Sequence, residues 1–415
     1  MKKQPATNSG LPAIVRKYIA LPAAAGVAAG SASALFLASL QLVSALQAKH
    51  HFLLWLLPFG GALAAFCYMK YGKEASRGNN LVFEQIHSGK GIVPFVMAPL
   101  VLLGTLLTHL LGGSAGREGT AVQMGGSLSA AIGKRLGLSE TDARQLVLYG
   151  VCAGFGSVFG TPIAAAIFGL EAGARRSMLL RSFIPCLLAS YIGHGVTLAW
   201  GIRHSHYNIG LLPELGILVL LKTALAGIAF GVMALLFVKG LTVVKWGLGK
   251  ISSHPPVKGF IGGLLVIVLV YAIGSRDYLG LGLPLMEQAF LEPASPLAPF
   301  LKLLFTIVTL GAGFPGGEVT PLFVIGSTAG SALAPLLLLP APLLAALGFV
   351  AVFGAAAQTP LACMALGMEL FGLQGAPYII TACAVGYLLS GKAGIYASHV
   401  NAHSNRLAFR TKKAG

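Results

Sequence analysis

Gly116-Arg117-Glu118-Gly119-Thr120 lies between two long apolar runs, residues 92–111 and 121–132. A charged side chain at the centre of a bilayer costs roughly 2.5–3.5 kcal/mol on insertion scales, so a chain that keeps such residues is expected to use them. The flanking glycines let the backbone approach a ligand closely. Because a helix that starts after such a break has unpaired N–H groups, the stretch predicts an anion site at a helix N-terminus.

Composition indicates the class of protein. Hydrophobic residues make up 56% of the 415-residue chain and charged residues only 10%. This balance excludes a soluble domain and predicts an all-α polytopic protein in a lipid bilayer. The 55 glycines favour close helix packing and broken helices within the membrane.

The net charge of +17 does not indicate nucleic-acid binding, because the basic residues lie in short loops and tails. They follow the positive-inside rule and predict that both termini are cytoplasmic. The basic residues in question are Lys2, Lys3, Arg16, Lys17, Arg175, Arg176, Arg181, Arg406, Arg410, Lys412 and Lys413. The first apolar run is too long for the core of a signal peptide, so it predicts an uncleaved first span.

The five cysteines are scattered through apolar runs, with no CxxC pair and no His/Cys cluster. They are interpreted as small buried side chains, and neither a disulfide, a metal site nor a cofactor is expected. The histidines, among them His87, His109 and His194, show no metal-ligand spacing. They are interpreted as loop or edge residues.

The chain repeats itself at a spacing of about 200 residues. Gly-Thr-Pro-Ile-Ala at 160–164 matches Gln-Thr-Pro-Leu-Ala at 358–362. Three pairs of acidic residues share this relation: Glu84/Glu287, Glu118/Glu318 and Glu171/Glu369. Since the order is the same throughout, the sequence indicates an internal duplication.

Each half contains two or three runs of about 20 apolar residues and several shorter pieces of roughly 8–15. The shorter pieces cannot cross a bilayer about 30 Å thick, so they predict re-entrant or half-length helices. Repeats of broken helices around a midplane site are typical of transporters. We predict a cytoplasmic segment at 1–17, transmembrane repeats at 18–203 and 204–390, and a pore segment with a short tail at 391–415.

The acidic pairs allow two interpretations. Helix capping or hydrogen bonding between helices is favoured for Glu84, Glu287, Glu171 and Glu369. A functional role is favoured for Glu118, because a carboxylate at a helix start competes with an anion for the same N–H groups. Such a carboxylate leaves those groups when it is protonated, which would couple an anion to a proton.

The second-half counterpart, residues 313–321, is also a Gly/Pro break that leads into a helix. Thr320 adds a hydroxyl donor there, and the alternative for Glu318 and Thr320 is N-capping. Asn79 either caps a short helix or offers its amide to an anion. Tyr396 is either a packed aromatic residue or a phenol with a partner in the site.

Together these stretches resemble the CLC family of chloride channels and anion/proton antiporters over nearly the whole chain. Residues 116–119 look like the family's GREG segment with its gating glutamate. Residues 317–321 resemble its GxFxP stretch, residues 78–82 its GSGIP stretch, and Tyr396 its central pore tyrosine. The resemblance implies the CLC fold, with two inverted repeats of tilted and partial helices. It also implies a homodimer with one pathway in each subunit, and we expect no CBS domains.

Departures from the family pattern resemble its fluoride-exporting branch. They are Thr120 for proline, Asn79 for serine, Asn80 for glycine, Val82 for proline, Glu318 and Val319 for an apolar residue and phenylalanine, and Ala172 for the inner proton-relay glutamate. The branch is similar in exchanging fluoride for protons in bacterial fluoride resistance. Because fluoride is small and strongly hydrated, its binding demands strong donors, which asparagine and threonine supply.

The predicted function is therefore fluoride efflux driven by inward protons across the bacterial inner membrane, by a transporter and not an enzyme. Glu118 is predicted to be the gate and proton carrier, and Glu318 is a candidate second carrier. The predicted anion-binding residues are Asn79, Gly116, Arg117, Gly119, Thr120, Val319, Thr320 and Tyr396, with Phe83 and Phe314 as apolar neighbours that either contact the anion through ring edges or only pack.

The first alternative is a chloride/proton antiporter or a passive chloride channel of the same fold. Asn79 and Thr120 argue against both, and Ala172 argues against proton-coupled chloride exchange. An intramembrane enzyme or a metal transporter is the second alternative. It is disfavoured because the sequence has no HExxH motif, no GxSxG motif with partners and no His/Asp cluster.

Overall fold

The computed structural model describes residues 15–89, 91–173, 179–204 and 207–396, which form seventeen α-helices and no β-strand within these ranges. The helices are α1 (Leu21–Lys49), α2 (Leu57–Tyr71), α3 (Asn79–Ser88), α4 (Met97–Leu110), α5 (Glu118–Arg135), α6 (Glu140–Phe159), α7 (Pro162–Gly173), α8 (Leu179–Ala199), α9 (Ile217–Ile251), α10 (Pro255–Ile273), α11 (Leu283–Ala289), α12 (Ala298–Gly311), α13 (Val319–Ala332), α14 (Ala334–Leu337), α15 (Ala341–Ala357), α16 (Pro360–Phe371) and α17 (Ala376–Ser390). The predicted cytoplasmic termini fall largely on residues 1–14 and 397–415, and Arg175 and Arg176 on residues 174–178; all of these lie outside the described ranges.

The second half repeats the helix order of the first. Helices α1–α3 correspond to α9–α11, α4 and α5 to α12 and α13, and α6–α8 to α15–α17, while the single turn α14 has no counterpart. The packing repeats as well, since α5 lies on α6 as α13 lies on α15, and α1 lies on α8 as α9 lies on α17. The end of α2 and the start of α10 line the same cavity, so equivalent helices run in opposite directions. The two repeats are therefore inverted.

Helix length divides the structure into long and partial helices. In the part of the chain that the structure describes, six helical stretches are long and apolar enough to cross a membrane, three in each half: Arg16–Lys49, His51–Tyr71, Arg181–Ala199, Ile217–Ile251, Pro255–Ile273 and Leu373–Ser390. Shorter apolar helices lie between them, among them α4, α7, α12, α13, α15 and α16. This division agrees with the sequence-based expectation of full spans and half-length pieces.

Glycines bring the backbones of two helix pairs into contact. A Cβ atom added to Gly150 of α6 would collide with the carbonyl oxygen of Gly125 in α5. The same relation holds in the second half, between Gly326 of α13 and Gly348 of α15. Because only glycine permits this approach, α5 and α13 are fixed tightly to the helices behind them. Their N-termini are thereby held at the centre of the protein.

Two carboxylates join the repeats reciprocally. Glu171, near the end of α7, accepts hydrogen bonds from two N–H groups at the start of α16, at 2.8 and 3.2 Å. Glu369, near the end of α16, accepts two from the start of α7, at 2.9 and 3.2 Å. Each carboxylate satisfies donors that a helix start leaves unpaired. Hydrogen bonding between helices is thus confirmed for this pair, whereas Glu84 forms an ion pair with Arg77.

Candidate anion site

The loops before α5 and α13 meet at the centre of the molecule. The N–H group of Gly116 donates to the carbonyl oxygen of Gly317 (2.6 Å), and the N–H group of Gly317 donates to that of Gly116 (2.8 Å). A Cβ atom on Gly116 would come within 2.9 Å of the Gly317 carbonyl oxygen, so the approach requires glycine. This antiparallel bridge joins equivalent positions of the two repeats, because both glycines stand two residues before a helix begins. The sequence-based pairing of Glu118 with Glu318 is therefore off by one residue, since Glu318 precedes its helix. It brings the unpaired N–H groups of both helix starts to one point.

Glu118, fully buried at the start of α5, reaches across this bridge. Its Oε2 atom accepts hydrogen bonds from the Thr320 N–H group (2.9 Å), from the Thr320 hydroxyl and from the Arg117 N–H group (3.3 Å). Its Oε1 atom lies 3.2 Å from Arg117 Nε. The carboxylate thus occupies the donors at the N-terminus of α13, which is where helix geometry favours an anion.

Glu318 lies on the other side of the bridge, at the N-cap position of α13. Its side chain makes no capping hydrogen bond, and Oε2 is buried without a hydrogen-bond partner among the described residues. It lines a cavity of about 690 Å³ together with Asn79 and Tyr396. The capping interpretation therefore fails for the Glu318 side chain, although the residue stands at the N-cap position.

Asn79 begins α3 directly after Gly78, whose φ of +55° favours glycine. The N-cap of α3 is Gly78, so the capping interpretation of Asn79 is wrong. The Asn79 side-chain nitrogen lies 3.0 Å from the position that a Cβ atom on Gly119 would take, and its Oδ1 atom has no hydrogen-bond partner among the described residues. The amide therefore lies against the start of α5.

Tyr396 and Phe83 form an edge-to-face pair with ring centroids 4.9 Å apart, and both are buried. Tyr396 lines the 690 Å³ cavity, as does Phe314. Phe83 does not line it and instead also meets Phe168 at 6.2 Å. The geometry of Phe83 fits the packing interpretation.

The structure brings most of the predicted residues together at the bridge: Glu118, Glu318, Asn79, Arg117, Gly119, Val319, Thr320 and Tyr396. Two predicted donors are engaged elsewhere. The Gly116 N–H group is held in the bridge, and the Thr120 hydroxyl lies 2.8 Å from the Thr105 hydroxyl of α4. In this conformation the Gly116 N–H group is not available to an anion, and the Thr120 hydroxyl has a partner in α4.

Cavities open on both sides of the bridge, two adjoining ones on the side of Glu118 and one on the side of Glu318. Glu118 lines a chamber of about 20 Å³, next to a wider cavity of about 460 Å³ that contains Arg117 and Arg203. We name these the inner chamber and the outer cavity. Glu318 lines the 690 Å³ cavity, which we name the basic cavity because Lys73, Arg77, Lys245 and Lys258 line it. The outer cavity is lined by the second half of α1 and the basic cavity by the end of α2, so they lie on opposite faces.

Sequence reasoning missed a buried cation close to the site. Lys302 in α12 is fully buried, and its Nζ atom donates to the Ser114 hydroxyl (2.9 Å) and to the carbonyl oxygens of Tyr278 (3.1 Å) and Gly280 (2.9 Å). Within the described ranges no carboxylate lies within 4.0 Å of Nζ. A single lysine in an otherwise apolar run, residues 297–311, was the available signal.

The interpretation of His109 as a loop or edge residue is wrong. His109 lies in α4 and is only 2% exposed. Its ring nitrogens lie 2.8 and 3.0 Å from the carbonyl oxygens of Thr105 and Ala115. The ring therefore fixes the segment that leads to Glu118 from one side, as Lys302 fixes it from the other.

Comparison with known proteins agrees with this geometry. Residues 60–391 match the family described as the voltage-gated chloride channel. The chain is 44% identical over 396 residues to a "Chloride/fluoride channel protein" of Pseudomonas syringae pv. tomato, covering 94% of this chain and 88% of that protein. It is also similar to the crystal structure of a CLC-type fluoride/proton antiporter, with a TM-score of 0.90 and 35% identity over 94% of this chain and 99% of that one. A slow cyanobacterial chloride/proton antiporter shares the fold, with a TM-score of 0.80 and 21% identity over 94% and 98% of the two chains.

The predicted fold class and family are thereby confirmed. The TM-scores show that the fold described above, with its inverted repeats and partial helices, is similar to the folds of the matched structures. The chain is a multi-pass membrane protein that belongs to the voltage-gated chloride channel, or CLC, family.

Proposed function

We propose that this protein is a fluoride/proton antiporter that exports fluoride from the cytoplasm. The observation that carries this proposal is the hydrogen bond from the Thr320 N–H group to the Glu118 carboxylate. An anion and the carboxylate need the same donors, so they occupy them in turn. Protonation of Glu118 removes its charge and weakens its hold on these donors. Anion binding is thereby linked to proton binding.

Fluoride is favoured over chloride by the donors around the bridge. Removing the water from a small anion is costly, and charge-assisted hydrogen bonds must offset that cost. Thr320 offers both its N–H group and its hydroxyl, and the Asn79 amide lies at the start of α5. The relative from Pseudomonas syringae and the antiporter structure at 35% identity support the same anion. A chloride/proton antiporter or a chloride channel of the same fold is the alternative.

Glu318 is proposed as the second proton carrier. It lines the basic cavity, while Glu118 lines the inner chamber across the bridge. Ala172 has no ionisable group for this task. With one carboxylate on each side of the bridge, a proton that crosses the protein has a group to bind on both sides.

The orientation of the protein in the membrane follows from the distribution of basic residues between the cavities. Four basic residues line the basic cavity, whereas the outer cavity has Arg117 and Arg203. By the positive-inside rule the basic cavity faces the cytoplasm and the outer cavity faces the periplasm. We propose the bacterial inner membrane as the location, cytoplasmic termini, and a homodimer with one pathway in each subunit; family membership supports the homodimer.

Proteoliposomes test the proposed function directly. Vesicles loaded with fluoride should release it when external protons are available, and a pH electrode should record proton uptake at the same time. Chloride-loaded vesicles should show little flux, and Glu118→Gln should abolish proton movement because an amide does not titrate near neutral pH. Equal fluoride and chloride flux without proton movement would identify a passive channel instead.

A further inference from the structure

External protons must reach Glu118, which is fully buried. Its carboxylate lines the inner chamber of about 20 Å³, a volume that holds about one water molecule. Much of the chamber wall is aromatic and apolar, with Phe159, Phe323 and Phe349 among its residues. Bulk water therefore stays in the outer cavity, and a proton has to be handed across the boundary between the two spaces.

Only three of the described residues line both the inner chamber and the outer cavity: Arg117, His204 and Leu283. The guanidinium of Arg117 does not release a proton in proteins, and Leu283 has none to exchange. An imidazole has an unperturbed pKa of about 6.5 and both binds and releases protons near neutral pH. We propose that His204 carries protons from the outer cavity to Glu118, an inference that rests on the proposed antiport function.

The surroundings of His204 fit a carrier whose ring is held in place. The His194 ring, from α8, lies 5.1 Å from the His204 ring between centroids. Both rings lie over Gly160, whose φ of +76° favours glycine and where a Cβ atom would lie 2.6 Å from His204 Cδ2. A larger residue at the end of α6 would displace the ring from its position between the two spaces.

The charged and ionisable groups around His204 come from three segments. Arg117 and Glu118 come from the start of α5, Arg203 and Tyr207 from the loop after α8, and His194 from α8 itself. Tyr207 is a phenol with an ordinary pKa of about 10, so it is a poor carrier at neutral pH. Glu118 is the base that receives the proton.

The transfer moves one proton and changes no other bond. A hydronium ion in the outer cavity gives a proton to one nitrogen of His204 and becomes water, and the ring passes a proton to the carboxylate of Glu118, directly or through one water molecule in the chamber. The neutral carboxyl group then holds the Thr320 donors less strongly. His204 returns to its neutral form and accepts the next proton.

The test is His204→Gln, which keeps a polar side chain but removes the titratable group. In proteoliposomes at external pH 7.5, coupled fluoride turnover should fall on the order of tenfold, since proton transfer by a positioned side chain is worth at least that much. The ratio of fluoride to protons should stay unchanged. Imidazole added outside should restore turnover, because it is a diffusible carrier. His50→Gln, on the same face but lining neither space, is the matched control.

The outcomes separate this inference from the proposed function. Wild-type turnover in His204→Gln, or no effect of imidazole on a slowed variant, would overturn the role of His204. Absence of proton movement in the wild-type protein would overturn the antiport function instead. If size-exclusion chromatography shows that the variant does not assemble, the test is made on the wild-type protein. Its turnover at external pH 7.5 should be independent of buffer concentration, whereas dependence on buffer would count against His204.

Discussion

Glu118 and Glu318 line different cavities, although each stands where a glycine-rich loop enters a helix. Glu118 is the first residue of α5, whereas Glu318 is the N-cap of α13 and precedes that helix. The two carboxylates are therefore one position apart in the repeat, and their side chains leave the backbone in different directions. Thr320 donates to Glu118, whereas Thr120 meets Thr105 in α4.

At the residue scale we predict that Glu318→Gln weakens proton coupling. The amide keeps the volume of the side chain but cannot carry a proton through the basic cavity. Fluoride and proton fluxes should be measured together in proteoliposomes, and the number of protons moved per fluoride should fall. Glu214→Gln, at an exposed position, is the control. Coupling that stays unchanged in Glu318→Gln would remove this residue from the proton path.

Single-residue patterns indicated the candidate residues of the site, but they did not predict which of their groups are buried or already hydrogen-bonded. The glycine-flanked Glu118 and the break before Thr320 were recognisable because a charge or a Gly/Pro break in an apolar run is unusual. The sequence did not predict the burial of His109 and Lys302, because the carbonyl groups that contact their side chains come near only in the folded chain. The sequence also did not predict the hydrogen bond donated by the Gly116 N–H group, since its acceptor is about 200 residues away in the chain.

At the scale of helices, the glycine contacts behind the site should determine stability. In Gly348→Ala the new methyl group would meet the carbonyl oxygen of Gly326 and force α13 and α15 apart. Overpacking of this kind costs typically 1–3 kcal/mol, so the melting temperature in detergent should fall by several degrees.

Gly247→Ala is the matched control for this substitution. It lies in α9 with nothing within 4 Å of the position that a Cβ atom would take. Alanine is favoured over glycine inside a helix by roughly 0.5–1 kcal/mol, so this variant should be at least as stable as the wild-type protein. Equal melting temperatures for the two alanine variants would show that the α13–α15 contact does not depend on glycine.

At the scale of the whole molecule, the proposed orientation predicts which face each loop occupies. Lys73→Cys should react with a membrane-impermeant thiol reagent only from the cytoplasmic side, and Asp277→Cys only from the periplasmic side. Both variants are made in a Cys67→Ser background, because the other four native cysteines are buried. Labelling of intact spheroplasts and of inverted vesicles distinguishes the faces. The reverse pattern would show that the positive-inside argument fails here.

The overall fold was partly predictable from patterns along the chain. Paired motifs along the chain revealed the duplication, and apolar run lengths separated full spans from partial helices. The lengths of the apolar runs did not predict that the halves are inverted, because each half has two or three full spans; that expectation came from the resemblance to the CLC family. The repeat boundaries at 18–203 and 204–390 stay predictions. The structure establishes the inversion through one feature, the meeting of the end of α2 and the start of α10 at the basic cavity.

The bridge between Gly116 and Gly317 also has a consequence for the history of this protein. It joins equivalent residues, so before the gene doubled it would have joined two identical polypeptides inserted in opposite orientations. Such an ancestor presented the same surface to both sides of the membrane, and each residue near the symmetry axis had an identical partner. Fusion of the copies released each position from having to match its partner. Because Glu118 now corresponds to Val319 and Glu318 to Arg117, the separate roles of the two carboxylates are younger than the fold that holds them.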